Sequence, residues 1–192
     1  MACEPLTLGF DTSAAHCAAA LLSGDRIIAV QAEDMTRGQA ERLVPMIQEM
    51  LASQGVDWRD LARIGVGVGP GNFTGIRISV SLARGLALSL GIPAIGVSTL
   101  EAIRATCQQG TACVPAPRGQ VYIQPDFGTP RLVPMSDMDD AALPPPPAEL
   151  ARAIARLAAH APDNGPHPTP LYIRPADAAP ARDAPPRILD DA

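Results

Sequence analysis

The chain has 192 residues, 47% of them apolar and only 3% aromatic, and its formal net charge is −5. This length predicts one domain or two small ones, with a core built from aliphatic side chains and methionine. All 15 basic residues are arginine, which excludes a P-loop lysine, a Schiff-base lysine and a lysine-rich nucleic-acid surface.

Three strands are predicted at the beginning of the chain. Leu6–Phe10 is a short apolar run that ends at a polar turn, as buried strands often do. His16–Leu22 and Arg26–Ala32 are two more apolar runs, and the Ser23-Gly24-Asp25 sequence between them is a hairpin signal.

Helices and strands alternate over the next stretch of the chain. Apolar residues at helical spacing, a glycine after a helix end and a serine–glutamate capping box mark the boundaries. The predicted elements are, in order, a helix at Gln39–Ser53, a strand at Arg63–Val68, a helix at Ile76–Leu90, a strand at Ala94–Val97 and a helix from Ser98 to Gln108.

The second half is rich in proline, since 17 of the 21 prolines follow Leu100. Proline interrupts strand ladders and helices, so we expect short elements in this half. The predicted segments are strands at Thr111–Ala116, Gln120–Gln124 and Arg131–Val133, a helix at Ala148–His160, a strand-like segment at Pro170–Arg174 and a disordered tail from Ala176.

The order β-β-β-α-β-α-β-α predicts an α/β fold with a mixed sheet flanked by helices. It is the order of the ribonuclease H-like unit of the actin and Hsp70 superfamily. The expected division is an N-terminal subdomain at residues 1–102, a truncated C-terminal subdomain at 103–175 and a tail at 176–192.

Two loops are candidate phosphate sites. Asp11, Thr12 and Ser13 form a turn whose hydroxyl and backbone N–H groups suit phosphate oxygens. A glycine-rich loop then precedes a helix, where N–H groups attract anions. Each loop has a structural alternative, because turn side chains can satisfy their own backbone and glycines permit close packing. The candidate residues in the second loop are Gly69, Gly71, Asn72, Thr74 and Gly75.

The two central helices are a candidate binding surface. The helix at Ile76–Leu90 is apolar nearly all round, and the sheet of its own domain covers one side only. Its small residues would allow close approach, and methionines on the other helix adapt to partners. A larger internal core is the alternative. The candidate interface residues are Leu43, Met46, Ile47, Met50, Ile76, Ile78, Ser79, Leu82, Ala83 and Leu86.

No catalytic group, cofactor or metal site is expected. The three histidines lack the spacing of zinc ligands, and the chain has no Gly-x-Ser-x-Gly string. The cysteines lack C-x-x-C spacing and are expected to be small core residues in a reducing cytosol. Neither a signal peptide nor a membrane-spanning run is expected, which predicts a cytoplasmic location. The cysteines are Cys3, Cys17, Cys107 and Cys113.

Four strings, in order along the chain, are similar to those of one known family. They are Leu8–Ser13, Glu41–Ile47, Gly67–Ile78, which resembles the family string GPGSFTGVRIG, and Gly96–Ala102. The family is TsaB, also called YeaZ. The matches span about residues 6–102, with weaker similarity in the second half. The stretch from Met135 to Pro170 is shorter than in the family, which implies a reduced second subdomain.

The resemblance implies an actin-like fold without a working active site. It implies a non-catalytic subunit that binds and activates the TsaD-type catalytic subunit, largely through the two central helices. With a TsaE-type ATPase, that pair carries out N6-threonylcarbamoylation of adenosine 37 in tRNAs reading codons that begin with A. The resemblance also implies homodimers through the same surface, indirect contact with tRNA and no contact with a membrane.

Two enzyme classes are the alternatives. An actin-like ATPase or sugar kinase would use Asp11 and the Gly69–Gly75 loop, but it needs a second phosphate loop and a catalytic carboxylate that the second half does not show. A peptidase would need metal ligands or a nucleophile–base pair.

Overall fold

The computed structural model describes residues 4–107, 109–125 and 128–173. The first part of the chain contains five strands and three helices. They are β1 (Leu6–Asp11), β2 (His16–Ser23), β3 (Arg26–Asp34), α1 (Gln39–Ser53), β4 (Leu61–Gly67), α2 (Phe73–Leu90), β5 (Ala94–Val97) and α3 (Thr99–Thr106), with a short 3-10 helix at Trp58–Asp60.

The five strands form one mixed sheet in the order β3-β2-β1-β4-β5. The β1–β2 and β2–β3 pairs are antiparallel, whereas β1–β4 and β4–β5 are parallel. Tight turns suffice for the antiparallel pairs, and helices provide the crossovers that parallel pairs need. The predicted ribonuclease H-like element order is confirmed.

The sheet is buried on both faces, as the strand β2 shows. Alternate side chains of a strand point to opposite faces. Cys17, Ala19 and Leu21 pack with α1 and α2, while Ala18, Ala20 and Leu22 pack on the other face. That explains why β2 is apolar throughout rather than alternating with polar residues.

The other face is covered by a helix from the second half of the chain, α4 (Pro147–His160). Small residues let it approach the sheet closely. A Cβ added at Gly9 would lie 2.6 Å from the backbone nitrogen of Ala155, and one added at Gly65 would lie 2.6 Å from the Cβ of Ala158. The molecule therefore has three layers, with the sheet between α1–α2 and α4.

Four strands of the second half are β6 (Thr111–Ala116), β7 (Gln120–Ile123), β8 (Arg131–Pro134) and β9 (Ala141–Ala142), with a 3-10 helix at Met135–Asp137. They form a second mixed sheet in the order β8-β7-β6-β9. The helix α3 connects this sheet to the first one, since Leu100 and Ile103 pack against Ala112 and Val114.

Two predicted elements differ from the structure. The helix α2 begins at Phe73, three residues earlier than predicted, because Asn72 caps it by accepting a hydrogen bond from the Gly75 N–H at 2.9 Å. The predicted strand at 170–174 is wrong for its described residues 170–173, which join no ladder. Only Leu171 donates a backbone hydrogen bond, to the Val68 carbonyl at 2.8 Å.

The predicted subdomain boundary at residue 102 stays a prediction, but the packing of α4 crosses it. This helix follows the boundary in sequence and lies against the N-terminal sheet. The predicted disordered tail at 176–192 lies outside the described residues, as does Gln108 at the predicted end of α3.

Among the helices in the described ranges, α2 alone has the length and apolar composition of a membrane-crossing segment. Core helices of globular proteins share this length and composition, so these two properties do not distinguish α2 from a core helix. One face of α2 packs on the sheet, and the helix carries Arg77 and Arg84 on its exposed side.

Candidate functional site

The two candidate phosphate loops lie against each other. The turn 11–13 follows β1 and the glycine-rich loop follows β4, and because these strands are parallel neighbours their ends meet. Three glycines lie so close to the turn that a side chain at any of them would clash with it. An added Cβ would lie 1.8 Å from Asp11 Oδ1 at Gly67, 2.3 Å from the Ser13 carbonyl oxygen at Gly71 and 1.8 Å from the Thr12 carbonyl oxygen at Gly75.

Hydrogen bonds join the same two segments. The Thr12 hydroxyl donates to the Gly75 carbonyl at 2.7 Å, and the Asn72 N–H donates to the Ser13 carbonyl at 2.6 Å. Two of the polar groups proposed for phosphate are thus used between the loops.

The Asp11 carboxylate is fully buried and is the centre of a small polar cluster. Its Oδ2 accepts from the Ser13 N–H at 2.9 Å, from the Ser13 hydroxyl at 2.8 Å and from Nε2 of His16 at 2.8 Å. Its Oδ1 has no hydrogen-bond partner among the described residues. The role of His16 was not foreseen from the sequence, because it depends on the hairpin returning the first residue of β2 to the end of β1.

The structural alternative is therefore the one that the geometry supports for both loops. Asp11, Thr12 and Ser13 are buried, and Gly75 belongs to the first turn of α2 rather than to a loop. Thr74, also in that first turn, is exposed. The Gly69 carbonyl accepts from the Thr99 N–H at 2.8 Å, which ties the loop to α3. Phosphate binding by these residues stays a prediction.

A cleft of about 780 Å³ lies beside the turn, between the first sheet and the second. Its lining includes His16, Asn72 and Tyr122 together with six prolines. Of the described residues that line it, none is arginine, and the chain has no lysine. The described walls therefore provide no arginine or lysine for the phosphates of a nucleotide.

Seven of the ten predicted interface residues are buried in the chain's own core, and binding of a partner through them stays a prediction. The stripe of apolar residues that identified α1 faces the chain's own sheet, because burying it there removes its surface from water. The same holds for the inner face of α2. The buried residues, each exposed by 3% or less, are Leu43, Met46, Ile47, Met50, Ile76, Ser79 and Ala83.

The other three predicted residues, Ile78, Leu82 and Leu86, lie half-buried at the edge of the core. Two of them line a groove of about 470 Å³ between the helices, which we call the α1–α2 groove. Its lining residues are Ala40, Leu43, Val44, Phe73, Thr74, Arg77, Ile78, Ser81 and Leu82.

Exposed apolar residues surround this groove. Val44 is 38% exposed and Phe73 is 44% exposed, while Leu88, farther along α2, is 88% exposed. Val44 breaks the helical pattern of α1, since it is an apolar residue outside the buried stripe. That irregularity was the sequence signal for the surface, and the regular stripe was the signal for the core.

The two buried cysteines that the structure describes, Cys17 and Cys113, are poor candidates for thiol chemistry. Burial raises the pKa of the Cys17 thiol to about 11 and also raises the pKa of Cys113. Raised pKa values keep both groups as weakly nucleophilic thiols. Cys17 and Cys113 are buried as predicted, Cys107 is half-buried, and Cys3 lies outside the described residues.

A family model described as "TsaD: tRNA N6-adenosine threonylcarbamoyltransferase" matches residues 26–155. The "tRNA threonylcarbamoyladenosine biosynthesis protein TsaB" of Escherichia coli (strain K12) is 36% identical over 125 residues, covering 60% of this chain and 52% of the relative. The chain thus spans about half the length of the curated relatives it matches. The predicted resemblance to the TsaB (YeaZ) proteins is confirmed.

Two further comparisons bear on fold and activity. A Pseudomonas aeruginosa structure, described as an uncharacterized protein with similarity to peptidase YEAZ, has a TM-score of 0.72 at 26% identity, covering 88% of this chain and all of the other. It confirms the fold class. The "tRNA N6-adenosine threonylcarbamoyltransferase" of Erythrobacter litoralis (strain HTCC2594) is 33% identical over 112 residues, covering 50% of this chain and 33% of the relative.

Proposed function

The chain belongs to the family of the matching model, "TsaD: tRNA N6-adenosine threonylcarbamoyltransferase". From its similarity to the TsaB proteins we propose that it is a non-catalytic subunit in tRNA threonylcarbamoyladenosine biosynthesis. In this proposal it binds and activates a TsaD-type catalytic subunit in the cytoplasm. The names of its TsaB relatives support the pathway, and its own surface supports the role.

The observation that carries the proposal is the α1–α2 groove. Exposed Val44 and Phe73 and half-buried Leu82 make an apolar surface beside two helices whose inner faces pack in the core. Exposure of such an apolar surface to water is unfavourable, and surfaces of this kind are typical of protein–protein contacts. A helix of a partner fits a groove between two helices through its own apolar stripe.

Catalysis of the transfer by this chain itself is the second candidate, favoured by the name of the family model and of one relative. The buried turn at residues 11–13 argues against catalysis by this chain. Asp11 is fully buried, its neighbours donate to it, and the loop that would face a phosphate packs on it. An active site of the actin type needs those groups free for a ligand.

The finer details of the proposal follow the TsaB resemblance. The modified position is adenosine 37 of tRNAs reading codons that begin with A, a TsaE-type ATPase joins through the complex, and tRNA contacts this chain only indirectly. A homodimer through the α1–α2 groove is the resting form in the absence of the partner.

The experiment measures binding of the purified chain to the TsaD-type subunit encoded in the same genome. Val44→Glu places a charge in the groove without entering the core, and we expect it to weaken binding by at least about tenfold. Ala52→Glu, on an exposed position of α1 outside the groove, is the matched control and should bind like the wild type.

The same proteins are then assayed for transfer of threonylcarbamoyl to tRNA, singly and together. We expect transfer only with both subunits, and less with Val44→Glu than with Ala52→Glu. Transfer by this chain alone would establish the enzyme alternative instead. Equal binding by the two variants would show that the groove is not the contact surface.

A further inference from the structure

Residues 168–173, which we call the C-terminal segment, lie beside the first turns of α2. Three side chains form an exposed cluster there. The guanidinium carbon of Arg77 lies 3.7 Å from the ring centroid of Phe73 and 5.8 Å from that of Tyr172. Arg77 Nε donates to the Tyr172 hydroxyl at 2.8 Å, and the two rings are 5.2 Å apart. Phe73 is 44% exposed and Tyr172 is 47% exposed, so the cluster is open to a partner.

Tyr172 is held in this position by the residues before it. The Leu171 N–H donates to the Val68 carbonyl at 2.8 Å, and the Leu171 side chain packs on the main core. Pro168 is buried beside Gly96, where an added Cβ would lie 3.3 Å from the proline. The segment is therefore fixed at the end of the first sheet, next to α2.

This arrangement orients the guanidinium of Arg77 before any partner binds. Stacking on Phe73 and the bond from Nε fix the plane of the group. The two terminal nitrogens have no acceptor among the described residues. They present a planar fork, which matches the two oxygens of a carboxylate.

The charge of α2 indicates the same ligand. Its 18 residues include Arg77 and Arg84 and no acidic residue. Arg77 also lines the α1–α2 groove, next to Ile78 and Leu82. The surface thus combines an apolar groove with a cation at its edge, and an amphipathic helix with a carboxylate beside its apolar stripe is complementary to both.

We propose that Arg77, oriented by Phe73 and Tyr172, binds a carboxylate on an amphipathic helix that the TsaD-type subunit places in the α1–α2 groove. The inference rests on the proposed function and adds the residue that selects the partner. It also assigns the C-terminal segment a role, because Tyr172 orients the arginine from outside the two helices.

The experiment compares the affinities of four variants for the TsaD-type subunit encoded in the same genome. Arg77→Gln is expected to lower the affinity about 30-fold, mainly through faster dissociation. Arg77→Lys should not restore it, because an ammonium lacks the fork. Tyr172→Phe keeps the ring and removes the hydroxyl, with an expected loss of about threefold to tenfold.

Arg84→Gln is the matched control. Arg84 is exposed on the same helix and is not stacked, so its loss should change the affinity by about twofold to fivefold at most. Circular dichroism is expected to show the same fold for all four variants. Raising the salt concentration should weaken the wild-type complex more than the Arg77→Gln complex.

The outcomes separate this inference from the proposed function. If Val44→Glu abolishes binding and Arg77→Gln does not weaken it, the α1–α2 groove is supported as the contact surface and the role of Arg77 is overturned. If the wild type does not bind the TsaD-type subunit, both fall. If Arg77→Gln weakens only self-association, the occupant is a second copy of this chain and the proposed one is wrong. A further variant, Arg77→Glu, is expected to bind weakly. If reversing the charge of one acidic residue of the partner restores its binding, that result supports the role of Arg77.

Discussion

Thr12 and Gly75 are in direct contact across the junction of the first turn and α2. The Thr12 hydroxyl donates to the Gly75 carbonyl at 2.7 Å, and a Cβ at Gly75 would lie 1.8 Å from the Thr12 carbonyl oxygen. The neighbouring atom is backbone, so it cannot move aside as a flexible side chain does. The start of α2 can therefore approach the turn this closely only because residue 75 is glycine.

Gly75→Ala is expected to destabilise the chain by at least about 2–3 kcal/mol, because overpacking against backbone shifts both segments. Gly85→Ala is the matched control in the same helix. Apart from its chain neighbours and the backbone of its own helix, no atom lies within 4 Å of its added Cβ, so it should stabilise the chain by about 0.5–1 kcal/mol through helix propensity. Urea denaturation measures both changes. Equal effects of the two substitutions would contradict the close contact.

The sequence was sufficient to predict the first sheet and its helices. Apolar runs, the Ser23-Gly24-Asp25 hairpin and the Ser98–Glu101 capping box are local signals, and local hydrogen bonds decide such boundaries. The position of α4 could not be predicted, since nothing local shows which sheet an alanine-rich helix covers. Its match to Gly9 and Gly65 is visible only once the strands are assembled.

The candidate site was predictable in its location but not in its chemistry. Placing Asp11 near the glycine-rich loop required only that two parallel strands end together. Whether the loops face a ligand or each other depends on contacts between residues about 60 positions apart, such as Thr12 and Gly75. Likewise, Ile47 lies on the stripe that marks a buried face, and burial inside one chain leaves the same sequence pattern as burial in an interface.

Arg63 on β4 caps the end of α4. Its Nη1 donates to the carbonyls of Ala158, Ala159 and Ala161 at 2.7, 3.1 and 2.5 Å, and its Nη2 pairs with Asp163. The last carbonyls of a helix lack the usual N–H partner one turn ahead, so a cation there satisfies them and complements the helix dipole.

Arg63→Met is expected to cost about 1.5–3 kcal/mol, the range for hydrogen bonds to a charged group. Hydrogen exchange should quicken in the last turn of α4 and not in α1. Arg59→Met, an exposed arginine two positions before β4, should change stability by less than about 0.5 kcal/mol. Unchanged exchange at the end of α4 would show that the cap is not needed.

Stability is expected to fall between pH 9 and pH 11 because of Cys17. Burial, with a smaller contribution from Glu33, raises the pKa of this thiol from 9.0 to about 11. Below pH 9 both the folded and the unfolded chain hold the proton. As the pH rises through this window the unfolded thiol ionises first, so the free energy of unfolding decreases.

Urea denaturation at pH 8, 9.5 and 10.5 tests this dependence. Cys17→Ala removes the thiol and leaves the other titrating groups, so its stability should decline less steeply with pH than that of the wild type. The comparison of slopes, rather than of absolute stabilities, removes the cost of the smaller side chain. Parallel slopes in the two proteins would refute the assignment to Cys17.

Asp11→Ala is expected to destabilise the chain by at least about 2 kcal/mol, because it leaves the Ser13 N–H and the His16 ring without an acceptor in a buried site. Asp34→Ala, at an exposed end of β3, should change stability by less than about 0.5 kcal/mol. ATP hydrolysis by the isolated chain is measured in parallel. A structural carboxylate predicts lost stability with no ATP turnover in either protein, whereas turnover in the wild type that Asp11→Ala abolishes would make Asp11 a catalytic residue.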